Sequence, residues 1–167
     1  MNLQEGKEKF IQTWGTLGSN WGINRTMAQI HALLLISPKA LSAEDIMEDL
    51  KISRGNTNMN VRALMDWGLV FKELKAGERR EFFYAEKDMW KVAMQVVKER
   101  RKRELEPLLG TMTGLKSVQD SSEEGMQFSN TVADLDRVIA KADKTLELLV
   151  KADENWFMNN FLKLMTK

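Results

Sequence analysis

The chain has 167 residues, 43% of them hydrophobic and 29% charged, with no cysteine and a formal net charge of +1. That length accommodates one ordinary domain with a core plus an extension, in the composition range of a globular protein. Disulfides and thiolate metal sites are excluded, no apolar run approaches the roughly 18 residues of a membrane span, and no basic-then-apolar signal peptide opens the chain. A cytoplasmic location is the resulting expectation.

The near-neutral total hides a segregation of charge. Residues 1–50 carry 4 Lys/Arg against 6 Asp/Glu (a balance of −2), residues 51–103 carry 14 against 7 (+7), and residues 104–167 carry 7 against 11 (−4). A positive centre between acidic ends is the distribution expected if the middle of the chain meets a polyanion.

In chain order, residues 3–21 read as a helix whose Phe10, Trp14, Leu17 and Trp21 recur at helical spacing, giving one aromatic-rich face. Gly15, Gly18 and Gly22 weaken it and are expected to bend or end it. A second helix covers residues 25–36 and stops at Ser37-Pro38, because the residue before a proline disfavours the helical region. Ser42 with Asp45 three residues on is an N-cap for a short helix through Leu50 that buries Ile46 and Leu50. Lys51-Ile52 is the turn, Ser53 caps the next helix to about Trp67, and Gly68 ends it. Residues 70–74 and 80–85 are strand-like and joined by Lys75-Ala76-Gly77-Glu78-Arg79, a hairpin with a charged tip.

Beyond the hairpin a helix runs from Asp88 to about Leu105, ending before Pro107, and the Gly/Thr/Ser/Glu-rich residues 110–125 read as a loop. Phe128, Val132, Leu135, Ile139, Ala142, Leu146 and Leu149 then follow the 4-3 spacing of a coiled-coil-like seam, with Ala142 permitting close approach. A last short helix carries Trp156, Phe157, Phe161, Leu162 and Met165.

Two capped helices at this separation followed by a basic hairpin are the parts of a winged helix-turn-helix, in a mainly α chain. On a wheel of about 100° per residue, Thr57, Val61 and Leu64 occupy one side of the second helix. Arg54, Asn58, Met59 and Arg62 lie on the other, with Asn56 at the margin. A recognition helix needs this division: an apolar face to hold it and donors and acceptors to enter the major groove. Asn can read adenine and Arg guanine, and either can instead hold phosphate. Gly55 lets a phosphate approach the helix N-terminus, and Arg79 and Arg80 at the tip would reach the minor groove or its phosphates. The competing reading is a solvated surface helix with a polar hairpin, serving as a protein-interaction or assembly module that never reads DNA.

The runs Leu41-Ser42-Ala43-Glu44-Asp45-Ile46, Ile52-Ser53-Arg54-Gly55-Asn56, Trp67-Gly68-Leu69-Val70 and Gly77-Glu78-Arg79-Arg80-Glu81-Phe82-Phe83 resemble the GbsR-like branch of the MarR-type winged-helix regulators. The resemblance covers roughly residues 5–110. It implies a homodimeric repressor on a pseudo-palindromic operator in double-stranded DNA, with Ser53, Arg54, Gly55 and Asn56 opening the recognition helix and Arg79 and Arg80 in the wing. Some members of that branch sense choline or relate to glycine betaine uptake.

Trp14, Trp21, Tyr84 and Trp90 are the conceivable walls of an aromatic cage for a choline-like effector, although an aromatic stripe on a helix is more often core or dimer interface. The run 98–103 lies on a helix and serves either as a solvated face paired with acidic neighbours or as a flanking phosphate contact. His31, the sole histidine, lies on an apolar helix as a packed residue. No phosphate loop and no nucleophile with a matching base is visible, so neither enzymatic chemistry nor a cofactor is expected. The expected organisation is residues 1–38 as supporting and dimerising helices, 39–87 as the DNA-binding region, and 88–167 as dimerising helices with an effector region.

Overall fold

In the computed structural model, which describes residues 1–151, the chain divides into two units, Met1–Val92 and Ala93–Lys167. The expected final helix with Trp156, Phe157, Phe161, Leu162 and Met165 lies outside the described residues.

The first unit opens with α1 (Leu3–Asn20), where Asn2 accepts from the Glu5 amide and Glu5 reaches back to the Asn2 amide as a capping box. Helix α2 (Arg25–Ile36) is capped by Asn24 and buries Met27, Ala28, Ile30, His31, Ala32, Leu33 and Leu34, so it is the central rod of the unit. The contact between α1 and α2 corrects the expectation for the glycines. Gly15 and Gly18 are buried inside a continuous α1, and a Cβ at Gly18 would sit 2.6 Å from the Ala28 Cβ. They admit α2 at close range and do not break the helix. Gly22, at φ +75°, is the one that lies past its end. For the same reason the aromatic stripe is not the packing face throughout: Leu17 and Trp21 are 37% and 54% exposed, while Gly15 and Gly18 face α2.

Helix α2 stops at Ile36, with Ser37 extended ahead of Pro38. Lys87 closes this end. Its ammonium donates to the carbonyls of Leu34, Leu35 and Ser37 at 2.6, 2.8 and 2.8 Å, groups that a helix C-terminus leaves without backbone partners. Burial pulls the Lys87 ammonium below its usual pKa, and the three carbonyls hold the charged form against that pull.

The two-residue β1 (Leu41–Ser42) leads into α3 (Ala43–Leu50), α4 (Arg54–Asp66), β2 (Val70–Leu74) and β3 (Glu81–Ala85). The strands form an antiparallel sheet in the order β1-β3-β2, with Leu41 opposite Phe83 and Phe71 opposite Tyr84. The hairpin is therefore a three-stranded sheet, its last strand starting at Glu81 and not at Arg80. β1 was not anticipated because two residues carry no alternation; pairing with Phe82 and Phe83 creates the strand. Residues Ile30, Leu34, Ile46, Leu64 and Val70 make the fully buried centre of this unit.

In the second unit the predicted stop before Pro107 is overturned. Helix α5 (Met89–Arg100) continues through a π-helical segment, Arg101–Leu105, into α6 (Glu106–Leu115). Pro107 falls in the first turn of α6, directly after the wider π turn, where a missing N–H costs little. Residues 106–115 are helical despite Gly110 and Gly114, because Leu109, Met112 and Leu115, with Leu105, pack on Val132 and Ile139 of α7 (Glu123–Lys151). Burial of that stripe outweighs poor propensity. Only 116–122 remain of the expected loop. Within the heptad, Val132 and Ile139 are buried, whereas Phe128 and Leu135 are 39% and 48% exposed.

Candidate nucleic-acid interface

Ser42 accepts from the Asp45 amide, while the Ser42 amide and hydroxyl both donate to Asp45 Oδ2 at 2.8 Å. These bonds hold the Asp45 carboxyl below the usual range. They also fix the start of α3. Lys51 ends α3 in the left-handed region (φ 53°, ψ 45°), and two residues later Ser53 caps α4 by accepting from the Asn56 amide at 3.3 Å. Gly68, at φ +68°, follows the C-cap Trp67. The helix-turn-helix is thus specified at three points by local chemistry.

Helix α4 divides as the wheel anticipates. Thr57, Val61 and Leu64 are buried, and Arg54, Gly55, Asn58, Met59 and Arg62 are exposed, Met59 by 61%. Ser53 is exposed and Asn56 is half-buried. The wheel did not single out Asn60, which is only 3% exposed. Its Nδ2 donates to the Asn56 backbone carbonyl at 2.8 Å and to Asn56 Oδ1 at 2.7 Å. An asparagine four residues before another on one helix was the available signal.

Two cations of this surface, Arg54 and Arg80, carry their own carboxylates. Arg54 pairs with Glu44 of α3 at 3.0 Å, with both side chains largely exposed. At the hairpin tip, Arg80 pairs with Glu78 at 3.2 Å, and its guanidinium lies 5.6 Å from the centre of the Phe82 ring, which also carries the Lys75 ammonium at 4.0 Å. Arg79 is exposed, and Gly77 turns the tip at φ +81°. Exposed pairs of this kind contribute about 0–1 kcal/mol each, so an incoming phosphate can displace them.

The four aromatic residues considered as effector walls are distributed differently. Trp14 stacks on Phe10 at 5.6 Å and tilts against His31 at 6.1 Å. Tyr84 pairs with its cross-strand neighbour Phe71 at 5.6 Å, and Trp21 is an exposed C-cap. Trp90 is half-buried in the first turn of α5. Among the described residues, no ring contact joins Trp14, Trp21 and Tyr84 to one another. Tyr84 instead borders an open cleft of about 570 Å³ with Phe71, Pro38 and Glu73. His31 is packed, as expected, and its Nε2 has no hydrogen-bond partner among the described residues. Burial, helped by Lys87, lowers its pKa to about 4.

Much of the basic run 98–103 is internally neutralised. Arg100 pairs with Glu104 at 3.0 Å, Arg101 with Asp143 at 2.7 Å, and Arg103 with Glu99 at 3.2 Å. Among the described residues, no cluster of three or more His, Asp or Glu is placed to hold a metal, and no helix is long and apolar enough to cross a membrane.

No family model matches the chain, and no curated protein is similar to it. Solved structures are. The crystal structure of a transcriptional regulator aligns over 87% of this chain and 95% of its own, at 18% identity and a TM-score of 0.67. A variant of S. aureus MepR bound to an oligodeoxyribonucleotide aligns over 84% and 92% at 13% identity, with a TM-score of 0.41. Lactococcus lactis ZitR aligns over 82% and 97% at 21% identity, with a TM-score of 0.38. Of these three, the first superposes closely enough to bear on architecture. At such identity the likeness is one of fold: a mainly helical winged helix-turn-helix with a small antiparallel sheet.

Proposed function

We propose that this protein is a MarR-type, DNA-binding transcriptional regulator, acting as a homodimeric repressor on a pseudo-palindromic site in duplex DNA. The observation that carries the reading is the division of α4: Thr57, Asn60, Val61 and Leu64 are buried, while Arg54, Asn58, Met59 and Arg62 project outward from a helix held by caps at both ends. Ser53 and Gly55 at its N-terminus offer backbone amides to phosphate, Arg62 and Asn58 carry base-edge chemistry, and Arg79 and Arg80 supply the wing contact. The resemblance to the GbsR-like branch supports the same assignment. The exposed apolar residues Phe128, Leu135 and Val138 of α7 are the surface assigned to pairing, and a two-fold dimer sets its recognition helices about 34 Å apart.

Binding to a duplex, followed by fluorescence anisotropy across a salt series, tests the reading. A regulator of this kind loses affinity with a log–log slope of about −0.9 per phosphate contact. A flat response, or no duplex binding at low salt, favours the protein-interaction module instead.

A further inference from the structure

We propose that Asn60 is a positioning residue for DNA reading: without touching the duplex, it holds the Asn56 amide so that the NH₂ group of Asn56 is what the DNA meets. The assignment rests on the DNA-binding reading above. Its basis is a single buried donor bonded twice. Asn60 Nδ2 donates to the Asn56 carbonyl at 2.8 Å and to Asn56 Oδ1 at 2.7 Å, with Asn60 itself 3% exposed.

An asparagine amide presents donor on one side and acceptor on the other, and a half-turn about its last torsion exchanges them. On a solvated helix face both orientations are accessible, so a lone Asn discriminates weakly between base edges. Here the exchange is blocked. Turning the Asn56 amide over would bring its NH₂ against the NH₂ of the buried Asn60, setting donor against donor and costing the hydrogen bond between them. The carbonyl is thereby kept inward and the NH₂ outward, fitted to acceptors such as guanine O6 and N7, thymine O4 or a phosphate oxygen.

The local frame reinforces this. The Asn56 backbone N–H donates to Ser53 Oγ at 3.3 Å, and the Thr57 hydroxyl donates to the Ser53 carbonyl at 3.1 Å. Side-chain hydrogen bonds therefore tie together the first two turns of α4, from the cap to Asn60. Asn58 differs: among the described residues no hydrogen bond constrains its side chain, and it can adapt its amide to either kind of edge. The two asparagines thus have separate roles, one preset and one adaptable.

The test is enrichment from a library of duplexes with a randomised 20-base-pair centre, using the full-length wild type, Asn56→Ala, Asn60→Ala and the double variant. Asn60→Ala is expected to flatten base preference at the same positions that Asn56→Ala flattens, by about fivefold or more in relative affinity. The double variant should add nothing to Asn56→Ala. A merely structural role would weaken binding alike at all positions, and that uniform loss would overturn the proposal. Should Asn60→Ala fail to fold, side-chain amide NMR of the wild type decides. Asn60 Nδ2 protons should exchange slowly with and without the enriched duplex, and Asn56 Nδ2 resonances should shift on its addition; unmoved Asn56 resonances would refute the assignment. A wild type that enriches no sequence overturns the DNA-binding reading, and this assignment falls with it, whereas a normal wild-type profile unchanged in Asn60→Ala removes this assignment alone.

Discussion

Replacing glycine by alanine at two positions of α1 should move stability in opposite directions. At both, alanine removes the flexibility penalty of a helical glycine, worth about 0.8–1 kcal/mol in favour of the fold. At Gly6 nothing lies within 4 Å of the added Cβ, so Gly6→Ala should realise that gain. At Gly18 the added carbon meets the Ala28 Cβ at 2.6 Å. Carbon atoms rest at about 3.5–4.0 Å, so α1 and α2 must part by about 1 Å. Neither carbon has a torsion through which to escape. Overpacking of this kind costs about 1–3 kcal/mol, and separating the helices also loosens contacts around buried Ala28 and Met27. The net expectation for Gly18→Ala is a loss of about 1–2 kcal/mol, leaving the two variants about 2–3 kcal/mol apart. Urea denaturation followed by circular dichroism measures both. Gly18→Ala at or above the stability of Gly6→Ala would show that α1 is not seated on α2 through its glycines.

Lys87→Met keeps the aliphatic stem and removes three charge-assisted bonds to the end of α2; a loss of about 2 kcal/mol is expected by the same denaturation assay. His31 has a folded pKa of about 4 against 6.5 in the open chain. Between those values the unfolded state takes up a proton that the folded state refuses, so stability falls as pH drops from 6.5 towards 4, by about 3 kcal/mol in total. His31→Gln should flatten urea midpoints over that window. Arg62→Ala should weaken duplex binding with a change in sequence preference, and Arg80→Ala should weaken it more evenly across sequences, both read by anisotropy with unchanged melting temperature. Leu135→Asp is expected to shift the sedimenting species toward monomer at unchanged helicity.

What could be read in advance was whatever one or two neighbouring residues decide. Ser42 with Asp45, Ser53 and Gly68 mark helix ends through bonds spanning three or four residues, and all appear where the side-chain chemistry puts them. The polar face of α4 follows from helical periodicity alone. Features that depend on distant partners were hidden. β1 exists through its pairing with β3, and α6 is helical because α7 covers its leucines and Met112. The π turn that accommodates Pro107 has no local signature. Asn60 was missed for a related reason: a polar residue on the inner face looks like noise on a wheel until the atom receiving its hydrogen bond is known.

The glutamates paired with Arg54 and Arg80 have a consequence for how this surface meets a polyanion. In the free protein, Glu44 and Glu78 act as tethered counterions: they neutralise the guanidinium groups but cannot diffuse away. When a phosphate replaces one of them, the carboxylate stays on the protein and collects a cation from solution. Ions released from the DNA are then partly matched by ions taken up by the protein. Each such contact is an exchange and not an addition, so the measured salt slope counts fewer phosphates than the surface touches. The same tethering penalises any anion too weak to displace a carboxylate, a selection by strength of charge that acts before any base is read.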